Sequence, residues 1–167
     1  MAGYGTDEGL TAWLTANGLT LPETAPTSAV LRERGSAYID GLYGSQFSDR
    51  RFSGVPTGGF AQERAWPRTG ASAYGVSIDD DVIPVAVEQA SYSAAWYEGN
   101  NPGKLAVAAT QGGQVKRIKV DVIEKEFFDR GGDAASSATP VLSTIEGLLA
   151  PFLIFTRYDG PAIWAIG

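Results

Sequence analysis

The stretch "DVIPVAVEQASYSAAWYEGNNPG", residues 81 to 103, constrains the fold more than any other part of the chain. Pro84 suits the first turn of a helix, where its missing N–H leaves no bond unmade. Behind it Ile83, Val87, Ala90, Ala94 and Tyr97 recur at helical spacing, on one face. Gly99, Asn100 and Pro102 then stop the pattern. The alanines on that stripe predict a helix that lets a second helix approach closely.

Three further helices follow from the same periodicity. Residues 7 to 17 carry Leu10, Trp13, Leu14 and Asn17 on one face, with Thr6 or Asp7 as cap and Gly18 as the left-handed stop. Ser28 to Tyr43 repeats Leu31, Gly35, Tyr38 and Leu42, with Ile39 beside them and Gly35 marking a close packing partner. "TPVLSTIEGLLAPF" has Thr139 as cap and Pro140 at its first turn. Its stripe is Leu142, Ile145, Leu149 and Phe152, and Pro151 kinks or terminates it. In "GQVKRIKVDVIEKEFF", Ile118, Val120 and Val122 alternate with Lys119 and Asp121, which predicts a strand or a two-strand hairpin at about 114–128. "DRGGDAASSATP" after it reads as a flexible linker.

These elements predict a mainly α fold: a small bundle of about four helices over 1–155, with an inserted β-hairpin and an extended C-terminal arm at 156–167. Residues 45–72 are long for a connection, and loops of that length carry function or are disordered. Phe47, Phe52, Phe60 and Trp66 favour order, with a short helix over Phe60 to Ala65. The tail "TRYDGPAIWAIG" has no helical pattern and ends on Ile163, Trp164 and Ile166. Extended, Thr156 to Gly167 reaches about 40 Å at ~3.3 Å per residue, far enough to meet another subunit. The alternative is that it folds back on its own core.

Composition removes several functions. The chain has 167 residues, no cysteine and no histidine. Cysteine nucleophiles, Ser-His-Asp triads, the usual zinc sites and disulfides are therefore excluded. No cofactor or metal is expected, and no enzyme activity. Thirteen Lys and Arg against nineteen Asp and Glu give a formal charge of -6, against tight, sequence-independent binding of nucleic acid. The N-terminus lacks the pattern of a signal peptide, and no apolar run reaches the ~20 residues that span a membrane.

Asp79, Asp80 and Asp81 could hold a cation, but the EF-hand pattern is absent. They are read instead as a solvated loop before the positive end of a helix. Glu124 and Glu126 flank Lys125 and are read as a solvated strand edge rather than a catalytic pair. Lys116, Arg117 and Lys119 form the one basic cluster. A partner protein's acidic surface, or a guard against edge aggregation, is favoured over DNA phosphates. In "ERAWPRTGAS", residues 63 to 72, Trp66 and Pro67 fix the long loop. Arg68 then lies in water or on a buried carbonyl, or Arg64 or Arg68 pairs across a subunit boundary.

Trp66-Pro67-Arg68-Thr69-Gly70 resembles the W-P-R-x-G signature of a family of tailed-phage proteins often labelled putative DnaT-like single-stranded-DNA-binding. Those chains are similar to head–tail connector, or head-completion, adaptors. "SAYIDGLYG" (36–44), "IPVAVEQASYSAA" (83–95), "GGQVKRIKVDVIEKEF" (112–127) and "LLAPFL" also resemble family segments, in order and over roughly residues 28–153. The last fourteen residues and the first helix depart from the pattern. The resemblance implies a structural adaptor in the virion neck, assembled in the host cytoplasm as a ring of about twelve copies. Its implied partners are other copies of the chain, the portal protein and the next neck or tail-completion protein. Double-stranded DNA would pass without tight binding, and no membrane is involved. The candidate interface residues are Arg64, Trp66, Arg68, Lys116, Arg117, Lys119, Phe127, Tyr158, Ile163, Trp164 and Ile166. The alternative function, carried by the family label, is single-stranded-DNA binding.

Overall fold

A computed structural model describes residues 2–46, 48–105, 117–120, 123–126 and 142–155. Helix α1 spans Asp7–Ala16, and the Thr6 hydroxyl caps it by accepting the Gly9 N–H at 2.9 Å. Helices α2 (Ser28–Tyr43) and α3 (Val85–Asn100) form the central pair. Helix α4, Ser143–Leu149, is shorter than its sequence pattern and passes into a 3-10 turn at Ala150–Phe152, where Pro151 stands. The expected caps Thr139 and Pro140 lie outside the described residues.

The α2–α3 contact is built from small residues. A Cβ on Gly35 would overlap the Ser91 carbonyl and lie 2.9 Å from the Ala95 amide. Ser36 and Ser91 meet there through their hydroxyls at 2.8 Å, both fully buried. Around this seam lie Val87, Ala90 and Ala94 of α3 and Ile39 of α2, with Ile145 and Leu149 closing over them from α4. Leu10 and Leu14 of α1 pack with Leu31, Tyr92 and Ala95 at the other end. Burying each such aliphatic side chain contributes roughly 1.5–3 kcal/mol, so these stripes carry the fold.

The expectation of a mainly α bundle is overturned. Among the described residues, four helices share the domain with several short antiparallel strand pairs, which makes it a small mixed α/β domain. Strand β1 (Arg50–Phe52) pairs with β8 (Leu153–Phe155), placing Phe52 opposite Leu153. Strand β2 (Val55–Pro56) pairs with β3 (Arg68–Thr69), and β4 (Ser72–Ala73) with β5 (Val76–Ser77). The short helix expected over Phe60 to Ala65 is one 3-10 turn, Gly59–Ala61.

The reason for the difference is that these pairs are too short to show an alternating pattern, and β1 finds its partner at the far end of the described chain. Gly54 sits at φ 69° between β1 and β2, and a Cβ there would come within 2.6 Å of the Ala71 amide. That turn needs glycine. The expected hairpin is seen in backbone: β6 (Arg117–Val120) pairs with β7 (Ile123–Glu126), with Arg117 opposite Glu126 and Lys119 opposite Glu124. The arm at 156–167 lies outside the described residues.

Candidate functional site

The Trp-Pro-Arg loop carries buried Ala65, Trp66 and Arg68 in the 45–72 connection. The Trp66–Pro67 bond is cis. Trp66 is 1% exposed and lies edge-on to Phe52 (5.5 Å between ring centres) and Phe152 (6.1 Å). Two aromatic rings from the β1–β8 pair and its adjoining turn thus hold the indole. Its Nε1 is buried with no hydrogen-bond partner among the described residues. The Pro67 carbonyl accepts from the Thr57 amide and from Gln62 Nε2, which ties the loop to its own approach.

Arg68 is 3% exposed. Its Nε donates to the Ser53 carbonyl at 2.8 Å, Nη1 to Ala65 at 2.9 Å and Nη2 to Gly54 at 2.6 Å. The guanidinium also stands 5.8 Å from the centre of the Phe52 ring. A guanidinium fork satisfies three carbonyls that the turns leave unpaired. Burial lowers the Arg68 pKa, the direction expected when the charged form loses water. Of the sequence readings of Arg68, which were water, a buried carbonyl or a pair across a subunit boundary, the structure shows buried carbonyls.

Tyr4 joins this loop to the helices. Its hydroxyl donates to Asp40 Oδ1 at 2.6 Å and accepts the Trp66 N–H at 3.1 Å, while its own N–H donates to Ser36 Oγ at 2.8 Å. Arg64 completes the cluster, with Nη1 3.5 Å from Asp40 Oδ2 and Nε donating to the Ala2 carbonyl at 3.0 Å. Burial, then the neighbouring Asp40, push the Tyr4 hydroxyl far above the usual tyrosine pKa. Burial raises the Asp40 carboxyl too, against the opposing pull of Tyr4 and Arg64. Arg32 holds the same N-terminal stretch, donating from Nη1 to the carbonyls of Gly3, Tyr4 and Gly5 and from Nε to Asp7.

A second polar cluster lies between α2, α4 and β1. The Tyr43 hydroxyl donates to Glu146, whose other oxygen pairs with Arg50. Burial raises Tyr43 first, and Glu146 adds to the effect. Tyr38, beside it, is pushed up to about 12, mainly by burial. Arg34 pairs with the buried Glu98 at 3.0 Å, and the Gly103 amide donates to the same Glu98 oxygen. Arg51 donates to the Gln46 carbonyl. Every arginine whose side chain is described therefore binds within its own chain.

This bears on the sequence-selected residues one by one. Trp66 and Arg68 face the chain's own core, and Arg64 is mostly covered, so the surface of this loop is made by its neighbours. Arg117 and Lys119 fall on β6, each opposite a glutamate. Lys116, Phe127, Tyr158, Ile163, Trp164 and Ile166 lie outside the described residues. Sequence reasoning missed Tyr4, Ser36 and Asp40; a lone tyrosine before a helix gives no signal of a bond to residues far along the chain. It also missed the exposed Val55 (62%), Phe60 (106%), Tyr74 (86%) and Val76 (68%). Phe60 follows Gly58-Gly59, and Tyr74 sits at φ 53° before Gly75, so both ride on turns.

Among the described residues no cluster of three acidic side chains is placed to hold a metal ion, and Asp79, Asp80 and Asp81 are exposed. No helix among the described residues is long and apolar enough to cross a membrane. What the arrangement builds is a rigid loop platform with apolar side chains on its rim.

No curated protein and no solved structure matches the chain. A family model does, over residues 3–165, and its description reads "Putative DnaT-like ssDNA binding protein". With nearly its whole length covered by that match, the chain belongs to this DnaT-like family.

Proposed function

We propose that the chain is a structural adaptor of a phage neck, a head–tail connector that forms a ring under the portal, extends the DNA channel and docks the next neck or tail protein. One observation carries the reading: each arginine with a described side chain is bound to a carboxylate or carbonyl of its own chain, in a molecule of net charge -6. A conduit for DNA must not grip phosphates, and arginines already held by their own chain serve that need. Exposed Phe60, Tyr74 and Val76 on a braced loop suit contact with protein instead. A ring of about twelve copies under the portal, in the virion neck and assembled in the host cytoplasm, completes the proposal.

Single-stranded-DNA binding is the second reading, and the family description favours it. It needs a basic groove lined with stacking aromatics. Phe60 and Tyr74 would be the stackers, and the 116–119 cluster the phosphate contacts. Titration of the protein into a labelled single-stranded oligonucleotide at near-physiological salt separates the two. The adaptor reading expects no saturable binding at micromolar protein, and particles traced by cryo-EM with this chain as a ring below the portal. Micromolar or tighter binding with a steep salt slope would overturn it in favour of the second.

A further inference from the structure

Residues 2–6 lie between α2 and the Trp-Pro-Arg loop, and every bond described for residues 2–5 runs through a side chain. On the α2 side, Arg32 Nη1 donates to the carbonyls of Gly3, Tyr4 and Gly5 at 3.1, 3.2 and 2.7 Å. Ser36 Oγ accepts the Tyr4 N–H at 2.8 Å, and the Tyr92 hydroxyl of α3 accepts the Thr6 N–H at 3.0 Å. The fit leaves no room for side chains at the glycines. A Cβ on Gly3 would stand 2.5 Å from the Arg32 carbonyl carbon, and one on Gly5 would stand 1.8 Å from the Tyr92 hydroxyl.

On the loop side the two segments meet in step. The Ala2 carbonyl takes Arg64 Nε at 3.0 Å, and two residues further along each segment the Tyr4 hydroxyl takes the Trp66 N–H at 3.1 Å. Tyr4 is buried beneath a backbone that is only partly covered, so its ring is set into the gap as a plug. The polar links that bypass it run through Arg64, 3.5 Å from both Asp40 and the Glu33 carbonyl, and through the Ala65 N–H at Asp40. Asp40 is itself shared with Tyr4, whose hydroxyl it takes at 2.6 Å. The loop, meanwhile, is braced within itself. Arg68 joins the carbonyls of Ser53, Gly54 and Ala65, and Gln62 Nε2 joins those of Arg64 and Pro67. A segment with its own bracing and few polar links to the helices has the make-up of a local opening unit.

We infer that residues 2–6 are a strap that latches the loop to α2, and that lifting the strap lets the stretch 57–66 open locally while the helices stay folded. The exposed Phe60 rides on that stretch, so the strap controls how firmly this ring is presented. Only the use of Phe60 as a docking group rests on the proposed function. The latch is a property of the single chain and is read whether or not copies assemble.

Two full-length variants lift the strap without altering the loop. Gly3→Ala sets a methyl against the α2 backbone, which cannot yield as a side chain would. Tyr4→Phe keeps the ring and removes only the hydroxyl. Residue-resolved amide hydrogen exchange by NMR compares both with the parent, while sedimentation velocity reports self-association separately. The Trp66 N–H loses its own acceptor in Tyr4→Phe, so the readout is the amides of Thr57 and Gln62. Their acceptors, the Pro67 and Gly59 carbonyls, lie within the loop and are untouched. Exchange at these two amides is expected to quicken about tenfold in both variants, the scale of one lost hydrogen bond to a buried group. Amides of residues 87–95 in α3 should keep the parent rate. Unchanged exchange at Thr57 and Gln62 overturns the latch, since the loop then holds itself in place. An equal quickening of the α3 amides overturns it too, because the strap would then belong to the global core. If Gly3→Ala loses its helical circular dichroism, Tyr4→Phe alone decides between these outcomes.

Discussion

Arg68 reaches back to Ser53, donating from Nε to its carbonyl at 2.8 Å, and so closes the turn between the first two strands with a buried cation. Two more carbonyls, of Gly54 and Ala65, take the rest of the fork. Arg68→Lys keeps the charge and loses the geometry, leaving at least one buried carbonyl unpaired. The expected loss is about 1.5–3 kcal/mol, as for hydrogen bonds to charged groups. At roughly 2–4 °C per kcal/mol for a domain of this size, thermal denaturation would register it clearly. Arg68→Lys melting with the unchanged chain would remove the bracing role.

Tyr4, Tyr38 and Tyr43 all have hydroxyls raised above the ordinary tyrosine value of 10.0. The sign follows from linkage: above that value the unfolded chain releases protons that the folded chain keeps. Their stability contribution is therefore full below about pH 10 and lost as pH rises further. Denaturant titrations at stepped alkaline pH should show this decline. Tyr4→Phe should flatten part of the decline and lower stability at neutral pH, because the Trp66 N–H and Asp40 lose a partner. An alkaline slope identical in Tyr4→Phe and the parent would contradict the assignment.

Asp40 is raised from 3.8 mainly by burial. The folded chain then holds its proton more tightly than the unfolded chain, so stability falls as pH climbs from the ordinary carboxylate range through the raised value. Asp40→Asn should lack that part of the slope. Comparing urea midpoints of the two proteins across mildly acidic pH tests it; parallel curves would show that Asp40 titrates normally.

Gly35→Ala places a methyl against the Ser91 carbonyl of the facing helix. Because the obstacle is backbone, the two helices must separate, at an expected cost of about 1–3 kcal/mol despite the better helix propensity of alanine. Gly41 has no neighbouring atom within 4 Å of such a methyl, so Gly41→Ala should be neutral or stabilising. Circular-dichroism melts of the two variants side by side give the contrast, and equal midpoints would count against a tight seam.

Phe60→Ser removes the most exposed aromatic side chain described. Stability should stay within about 0.5 kcal/mol, as for surface changes generally. On the adaptor reading, self-association measured by sedimentation should weaken, since the phenyl group no longer offers apolar area to a neighbour. A clear drop in melting temperature would place Phe60 in the chain's own packing instead.

Periodicity by itself placed the helices, though not every end: Pro84 stands at the cap of Val85–Asn100 rather than in its first turn, and the fourth helix stops at Leu149. Ser28 to Tyr43 is bounded as its apolar repeat and flanking residues predict, and the small residues of the Val85–Asn100 helix do receive a close partner. Local chemistry also told that Trp66 and Pro67 fix a loop, since large rigid side chains in an aperiodic stretch have few other uses. Only the tertiary structure decided that Phe52 lies beside Leu153, that Tyr4 hydrogen-bonds Asp40 and that Arg68 is buried. Each depends on residues distant in sequence or on turns only a few residues long, where no repeat exists to be read. The mixed α/β character arose in the same way: strands of two or three residues are defined by their partners, and a partner is a property of the folded chain.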